Sequence, residues 1–155
     1  MSKVAELVIR EYPMEVIAAD TMEDLLGLFE QLIRFEDALV NLDVHKDPLA
    51  MATTMDEILL MVDRCAMAYI GDDPVAFMMI DKGEPYAIGS LFVVEEYRGQ
   101  GIGELLVNML REYHPNNDLS VSCHKGNTRA LNFYQRLGFE FTETDLIMKG
   151  VLKVV

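Results

Sequence analysis

Leu91-Phe92-Val93-Val94-Glu95-Glu96-Tyr97-Arg98-Gly99-Gln100-Gly101-Ile102-Gly103 carries an apolar, β-branched run into a glycine-rich turn. Beyond it Leu105, Leu106, Met109 and Leu110 recur at helical spacing, as far as Tyr113. Strand, glycine turn and helix in that order set several backbone N–H groups at the positive end of a helix dipole. Glycine there lets the backbone close on a phosphate. Two phosphate motifs are excluded. A dinucleotide fingerprint needs a third glycine where Glu104 stands, and an acid on the next strand, which ends at His124-Lys125. The Gly-Lys-Ser/Thr of a P-loop appears nowhere.

Downstream, residues 119–123 alternate and branch as a strand does, and Asn127-Thr128 caps a helix that runs to Leu137 with Gly138 behind it. Residues 139–142 and 146–151 read as closing strands. Upstream, residues 4–9 and 14–19 read as two strands interrupted at Pro13. Asp20-Thr21 then offers an N-cap with Glu23 and Asp24 in the first turn. Leu25, Leu26, Phe29, Leu32 and Ile33 carry that helix to about Arg34. Residues 35–50 read as a loop or a broken helix, and Thr53 or Thr54 as the cap of a second helix. Residues 66–70, 75–80 and 86–94 follow as strands, joined by the turns Gly71-Asp72-Asp73-Pro74 and Asp81-Lys82-Gly83-Glu84-Pro85. The order describes one α/β domain over residues 1–155, with an antiparallel meander first and a parallel strand pair later.

The composition is that of an ordinary folded domain: 155 residues, 51 % hydrophobic and 25 % charged. No run approaches the roughly 18 apolar residues of a membrane span, and the mixed charges after Met1 do not make a secretory signal. Cys65 and Cys123 lie in apolar stretches and read as buried, inert thiols in a reducing cytoplasm. A formal net charge of −13 argues against nucleic acid as a partner and suits a cationic one, or solubility alone.

The segment 91–103 resembles the pyrophosphate-binding segment of the GCN5-related N-acetyltransferase (GNAT) superfamily, Q/R-x-x-G-x-G/A after an aliphatic strand, with Arg98, Gly101 and Gly103 in place. Its second motif is matched by Asn127, Ala130, Phe133-Tyr134 and Leu137-Gly138-Phe139. The resemblance implies a mixed, mostly antiparallel sheet with helices on both faces and a splayed parallel strand pair. It implies acetyl-CoA as cosubstrate and no metal. The backbone of Phe92, Val93 and Val94 would hold the pantetheine arm and polarise the thioester. The N–H groups of Arg98, Gly99, Gln100, Gly101, Ile102 and Gly103 would hold the pyrophosphate, and Asn127 would touch the arm. Tyr134 matches the position of the acid that protonates the leaving thiolate. A homodimer is compatible with the resemblance.

The general base is the departure. Family members place a carboxylate on the strand before the turn, where this chain has Ala87, Ile88, Gly89 and Ser90. His124, Glu84, Tyr86 or a water relayed by Ser90 are the candidates, and His124, at a strand end with an ordinary pKa near neutrality, is the strongest. Glu95, where proline is common, is a second departure of little consequence. For the acceptor, the resemblance points to the 35–50 loop, which holds Glu36, Asp37, Asp43 and Asp47 beside His45 and Lys46. These acids suit a cationic amine. The rival expectation is a catalytically silent acyl-CoA-binding or structural protein of the same fold.

Overall fold

The computed structural model describes residues 6–40, 47–83, 86–144 and 147–154. The chain runs β1 (Leu7–Pro13), α1 (Ala19–Val40), α2 (Pro48–Leu59), β2 (Val62–Ile70), β3 (Asp73–Asp81), β4 (Tyr86–Val93), α3 (Ile102–Tyr113), β5 (Leu119–His124), α4 (Thr128–Arg136), β6 (Glu140–Thr144) and β7 (Ile147–Leu152). Among the described residues these strands form one sheet, ordered β1-β2-β3-β4-β5-β7-β6. Every neighbouring pair is antiparallel except β4 and β5. The mixed, mostly antiparallel sheet with a parallel pair is the architecture expected.

The central strands read as unbroken apolar runs because both faces are covered. Side chains alternate across a strand, so β2 and β3 feed two cores. Ala66, Ala68, Met78 and Ile80 pack with Leu106 and Leu110 of α3. Cys65, Met67, Phe77 and Met79 pack with Leu25, Phe29 and Leu32 of α1. Phe77 is the hinge of the second core, meeting Phe29 edge-on at 6.0 Å and Phe92 at 6.3 Å between ring centroids. The sheet thus lies between an α1/α2 layer and an α3/α4 layer.

Three boundaries differ from the sequence reading. Residues 7–13 form one strand and Met14–Val16 a short 3-10 turn. Pro13 is tolerated as the last residue of an edge strand, where its missing N–H costs no ladder bond. Helix α1 continues past Arg34 to Val40, because no glycine or proline lies between Arg34 and Val40 and Glu30 pairs with Arg34 at 2.7 Å one turn on. Helix α2 starts at Pro48, not at the threonines: Asp47 Oδ1 accepts the Leu49 N–H at 3.0 Å, and proline fits the first turn, where its N–H is not needed.

Candidate active site

The site begins where the parallel pair fails. β4 and β5 pair at Tyr86–Leu119, Ala87–Ser120 and Ile88–Val121 and no further, although both strands continue. Beyond Ile88 and Val121 they splay into a wedge. A cavity of about 730 Å³ passes through this wedge, lined by Phe29 and Ile58 on one side of the sheet and by Ile102 and Phe133 on the other.

At its α3 end the cavity meets the glycine turn. Gly99 and Gly101 have φ of 77° and 85°, conformations that side chains disfavour. Gly101 is the N-cap of α3, and its carbonyl accepts the first intrahelical bond, from Leu105 at 3.0 Å. The N–H groups of Ile102, Gly103 and Glu104 therefore have no helical acceptor and, with the dipole, form an anion site on the cavity wall. The Arg98 N–H is engaged by Glu95 O at 3.2 Å. Gln100 does not line the cavity. Arg129 and Arg136, on α4, do line it. Sequence reading passed over both, since nothing in the spacing tells which side of α4 faces a ligand.

Arg98 turns inward. Its Nε donates to Val93 O at 2.8 Å, and its guanidinium carbon stands 4.8 Å from the Phe35 ring centroid and 5.2 Å from that of Phe92. Burial, and then the charge of Arg129, lowers its pKa from the ordinary value. The Val94 N–H donates to Val75 O at 2.9 Å, across the sheet on β3. Successive amides alternate along a strand, so the Val93 N–H is directed at the wedge. Of the three backbone contributors expected, Phe92 and Val93 line the cavity and Val94 does not.

Asn127 caps α4, its Oδ1 accepting the Ala130 N–H at 3.1 Å. The side-chain amide nitrogen remains available at the cavity wall. Tyr134, two turns on, lines the cavity, wedged edge-on between Phe133 at 5.1 Å and Phe139 at 5.3 Å. It is 5 % exposed, and among the described residues no hydrogen bond engages its hydroxyl. Burial, and then the charges of Cys123 and Glu36, push its pKa well above the ordinary value. Cys123 shares the wall, and burial, helped by Glu36, pushes its thiol up to about 11. Cys65 is buried and pushed up to about 12. Neither is a thiolate nucleophile near neutrality.

His124 is not among the lining residues. Its Nδ1 accepts the Gly126 N–H at 2.9 Å, tying down the β5–α4 turn. The base role expected of it therefore does not follow from its position. Tyr86 is stacked on His114 at 4.2 Å and also lies off the cavity. Glu84 lies outside the described residues, as do Asp43, His45 and Lys46. Asp47 is occupied as the α2 cap.

Two carboxylates take their place. Glu36, which the lengthened α1 carries to the cavity, lines it directly, and burial raises its pKa. Asp81, the last residue of β3, does not itself line the cavity but lies against Gly89, which does; it is half-buried, and burial raises its pKa too. Its carboxylate fills the space that a side chain at Gly89 would occupy. The signal for Asp81 was a glycine inside an apolar strand, which marks a close approach. Among the described residues no group of His, Cys, Asp and Glu is arranged to hold a metal ion, and no helix is long and apolar enough to cross a membrane.

The chain resembles known proteins in sequence and in fold. The chain is 38 % identical over 71 residues to peptidyl-lysine N-acetyltransferase YjaB of Salmonella typhimurium, covering 46 % of each chain. It is 38 % identical over 81 residues to an uncharacterized N-acetyltransferase of Methanocaldococcus jannaschii, covering 49 % of this chain and 34 % of that one. The matches thus span less than half the length of either relative. An acetyltransferase from Thermus thermophilus superposes with a TM-score of 0.70 at 19 % identity, over 94 % of this chain and 97 % of that one. The PaiA N-acetyltransferase of Thermoplasma acidophilum, solved with coenzyme A, superposes with a TM-score of 0.63 at 16 % identity, over 92 % and 98 %. The sequence model of the acetyltransferase (GNAT) family matches residues 30–139, a span that takes in the wedge, the glycine turn and Tyr134, and the chain belongs to that family.

Proposed function

We propose that the protein is an N-acetyltransferase that moves an acetyl group from acetyl-CoA to a primary amine, with a cationic acceptor. The observation that carries this reading is the wedge between β4 and β5, a through-passage with an anion site at one end and a carboxylate at the other. The residues present fit the cosubstrate. The N–H groups of Ile102, Gly103 and Glu104 and the guanidinium of Arg129 suit its phosphates. The wedge between two strands suits an extended arm, and the N–H groups that β4 directs at the wedge suit a thioester carbonyl whose oxygen gains charge during attack.

Tyr134 serves as the acid. Its high pKa keeps the phenol protonated at every working pH. The same burial disfavours the charge of a leaving thiolate beside it, which is therefore a stronger base than in water. Proton transfer between the two stays feasible. Glu36 draws the acceptor's ammonium into the passage from the α1/α2 side. A carboxylate at a largely dry wall gains more from a cation than one in bulk water. A cytoplasmic setting fits Cys65 and Cys123 as free thiols. The test is acetyl transfer from acetyl-CoA to a panel of polyamines, amino acids, aminoglycosides, lysine peptides and free peptide N-termini. Turnover of a cationic amine is expected. A protein that acetyl-CoA stabilises but that turns over no acceptor is the silent binder.

A further inference from the structure

Gly89 is the first residue of β4 beyond the last parallel pair, Ile88–Val121, and so stands at the vertex of the wedge. The β3–β4 register slips at this point: Met79 faces Ser90 while Ile80 faces Ile88, leaving Gly89 as the extra residue of a bulge. Bulges re-aim the chain beside functional sites. A Cβ on Gly89 would collide with the carboxyl carbon and both carboxylate oxygens of Asp81. A side chain at this position would push the carboxylate aside. Ile80 belongs to the α3-side core and Met79 to the α1-side core. By strand alternation Asp81 projects to the α1 side, the side of Glu36 and of acceptor entry.

Among the described residues nothing neutralises this carboxylate. Val62 of β2 and Ala87 of β4 face Asp81 in the sheet, and its chain neighbour Lys82 is exposed. Among the described residues no hydrogen bond or ion pair engages it, and burial is the one cause of its raised pKa. Across the vertex, α2 contributes Thr54 and Ile58 to the cavity and α1 contributes Glu36 as its charged group. An unpartnered, half-dry carboxylate is costly to keep unless it meets a cation in the working protein.

Resting on the acetyltransferase reading, we propose that Asp81 is the general base, reaching over Gly89 to take a proton from the acceptor's ammonium at the vertex of the wedge. An alkylammonium has a pKa of roughly 10.4 and cannot attack until it loses a proton. Asp81 accepts that proton. The freed nitrogen forms a bond to the thioester carbon, and the carbon–sulfur bond then breaks. The thiolate takes the proton of Tyr134, and Tyr134 recovers one from the nitrogen, which leaves as a neutral amide. Asp81 returns its proton to water. The carboxylate missing from β4 is in this way supplied by the neighbouring strand.

The experiment is the single-turnover rate of Asp81→Asn across pH, with the amine that the wild-type enzyme acetylates fastest. The rate constant should fall 10²–10⁴-fold, the usual worth of a general base. The acid limb of the wild-type profile should disappear, acetyl-CoA binding should be unchanged and the melting temperature should not fall. Gly89→Ala, which pushes the carboxylate aside, should slow the wild-type enzyme but add nothing to Asp81→Asn. A rate within about threefold of wild type, an acid limb that survives in Asp81→Asn, or additive losses in the double variant would each overturn the assignment and leave the acetyltransferase reading standing. A wild-type protein that binds acetyl-CoA and acetylates nothing overturns both.

Discussion

The guanidinium of Arg98 lies against the ring of Phe35, 4.8 Å from its centroid, and so joins the phosphate turn to the helix that brings Glu36 into the cavity. Cation–π contacts of this kind contribute about 0.5–2 kcal/mol, and the Nε bond to Val93 adds about 1 kcal/mol more. Arg98→Lys keeps the charge but loses the planar stack and the Nε donor. It should lower the melting temperature by a few degrees and raise the KM of acetyl-CoA and of the acceptor together. A change confined to acetyl-CoA, followed by steady-state kinetics, would show that Arg98 serves only the phosphates.

Acetyl-CoA should raise the melting temperature in proportion to saturation, since a ligand of the native state alone stabilises it. Gly101 stands at φ 85° at the N-cap of α3. Gly101→Ala should destabilise the free protein by about 1 kcal/mol through backbone strain alone and keep part of the shift. Gly101→Asp adds a charge that repels phosphate and should abolish it. Thermal melts with and without ligand check this. A full shift in Gly101→Asp would move the pyrophosphate elsewhere.

Tyr134→Phe keeps the ring between Phe133 and Phe139 and removes only the hydroxyl. The fold should survive, acetyl-CoA affinity should change little and kcat should fall by roughly 10²–10⁴-fold. Pre-steady-state kinetics separate chemistry from product release. A chemical step within about threefold of wild type would make Tyr134 a packing residue.

Glu36 has a folded-state pKa raised by burial. Its linkage contribution is therefore fully present below the unfolded value and is lost as pH rises through the folded one. At pH 7 the ionised carboxylate is a burden on the fold. Glu36→Gln should raise the melting temperature near neutrality, and the gain should shrink as pH falls toward the carboxylate range. The same variant should raise the acceptor KM while leaving that of acetyl-CoA alone. Equal melting curves at pH 7 and pH 4 relative to wild type, or an unchanged acceptor KM, would count against its role.

The sequence by itself determined the fold and the cosubstrate end of the site. Arg98 to Gly103 and Asn127 to Phe139 are local motifs: turn, cap and helix face are fixed by residues within a few positions of one another. Only the tertiary structure decided the acceptor end. Glu36 reaches the cavity because α1 runs to Val40, and there Phe35 meets Arg98 of the glycine turn, a contact across some sixty positions of chain that no periodicity records. His124, at the end of β5, lies off the cavity wall with its Nδ1 bonded to Gly126. Asp81 comes to the back of the wedge because β3 lies beside β4 and Gly89 leaves room for a neighbour's carboxylate. Pairing between strands assigns a side chain to a site through space. A sequence shows which residues can carry a proton, and the register of the sheet decides which of them stands where the proton must go.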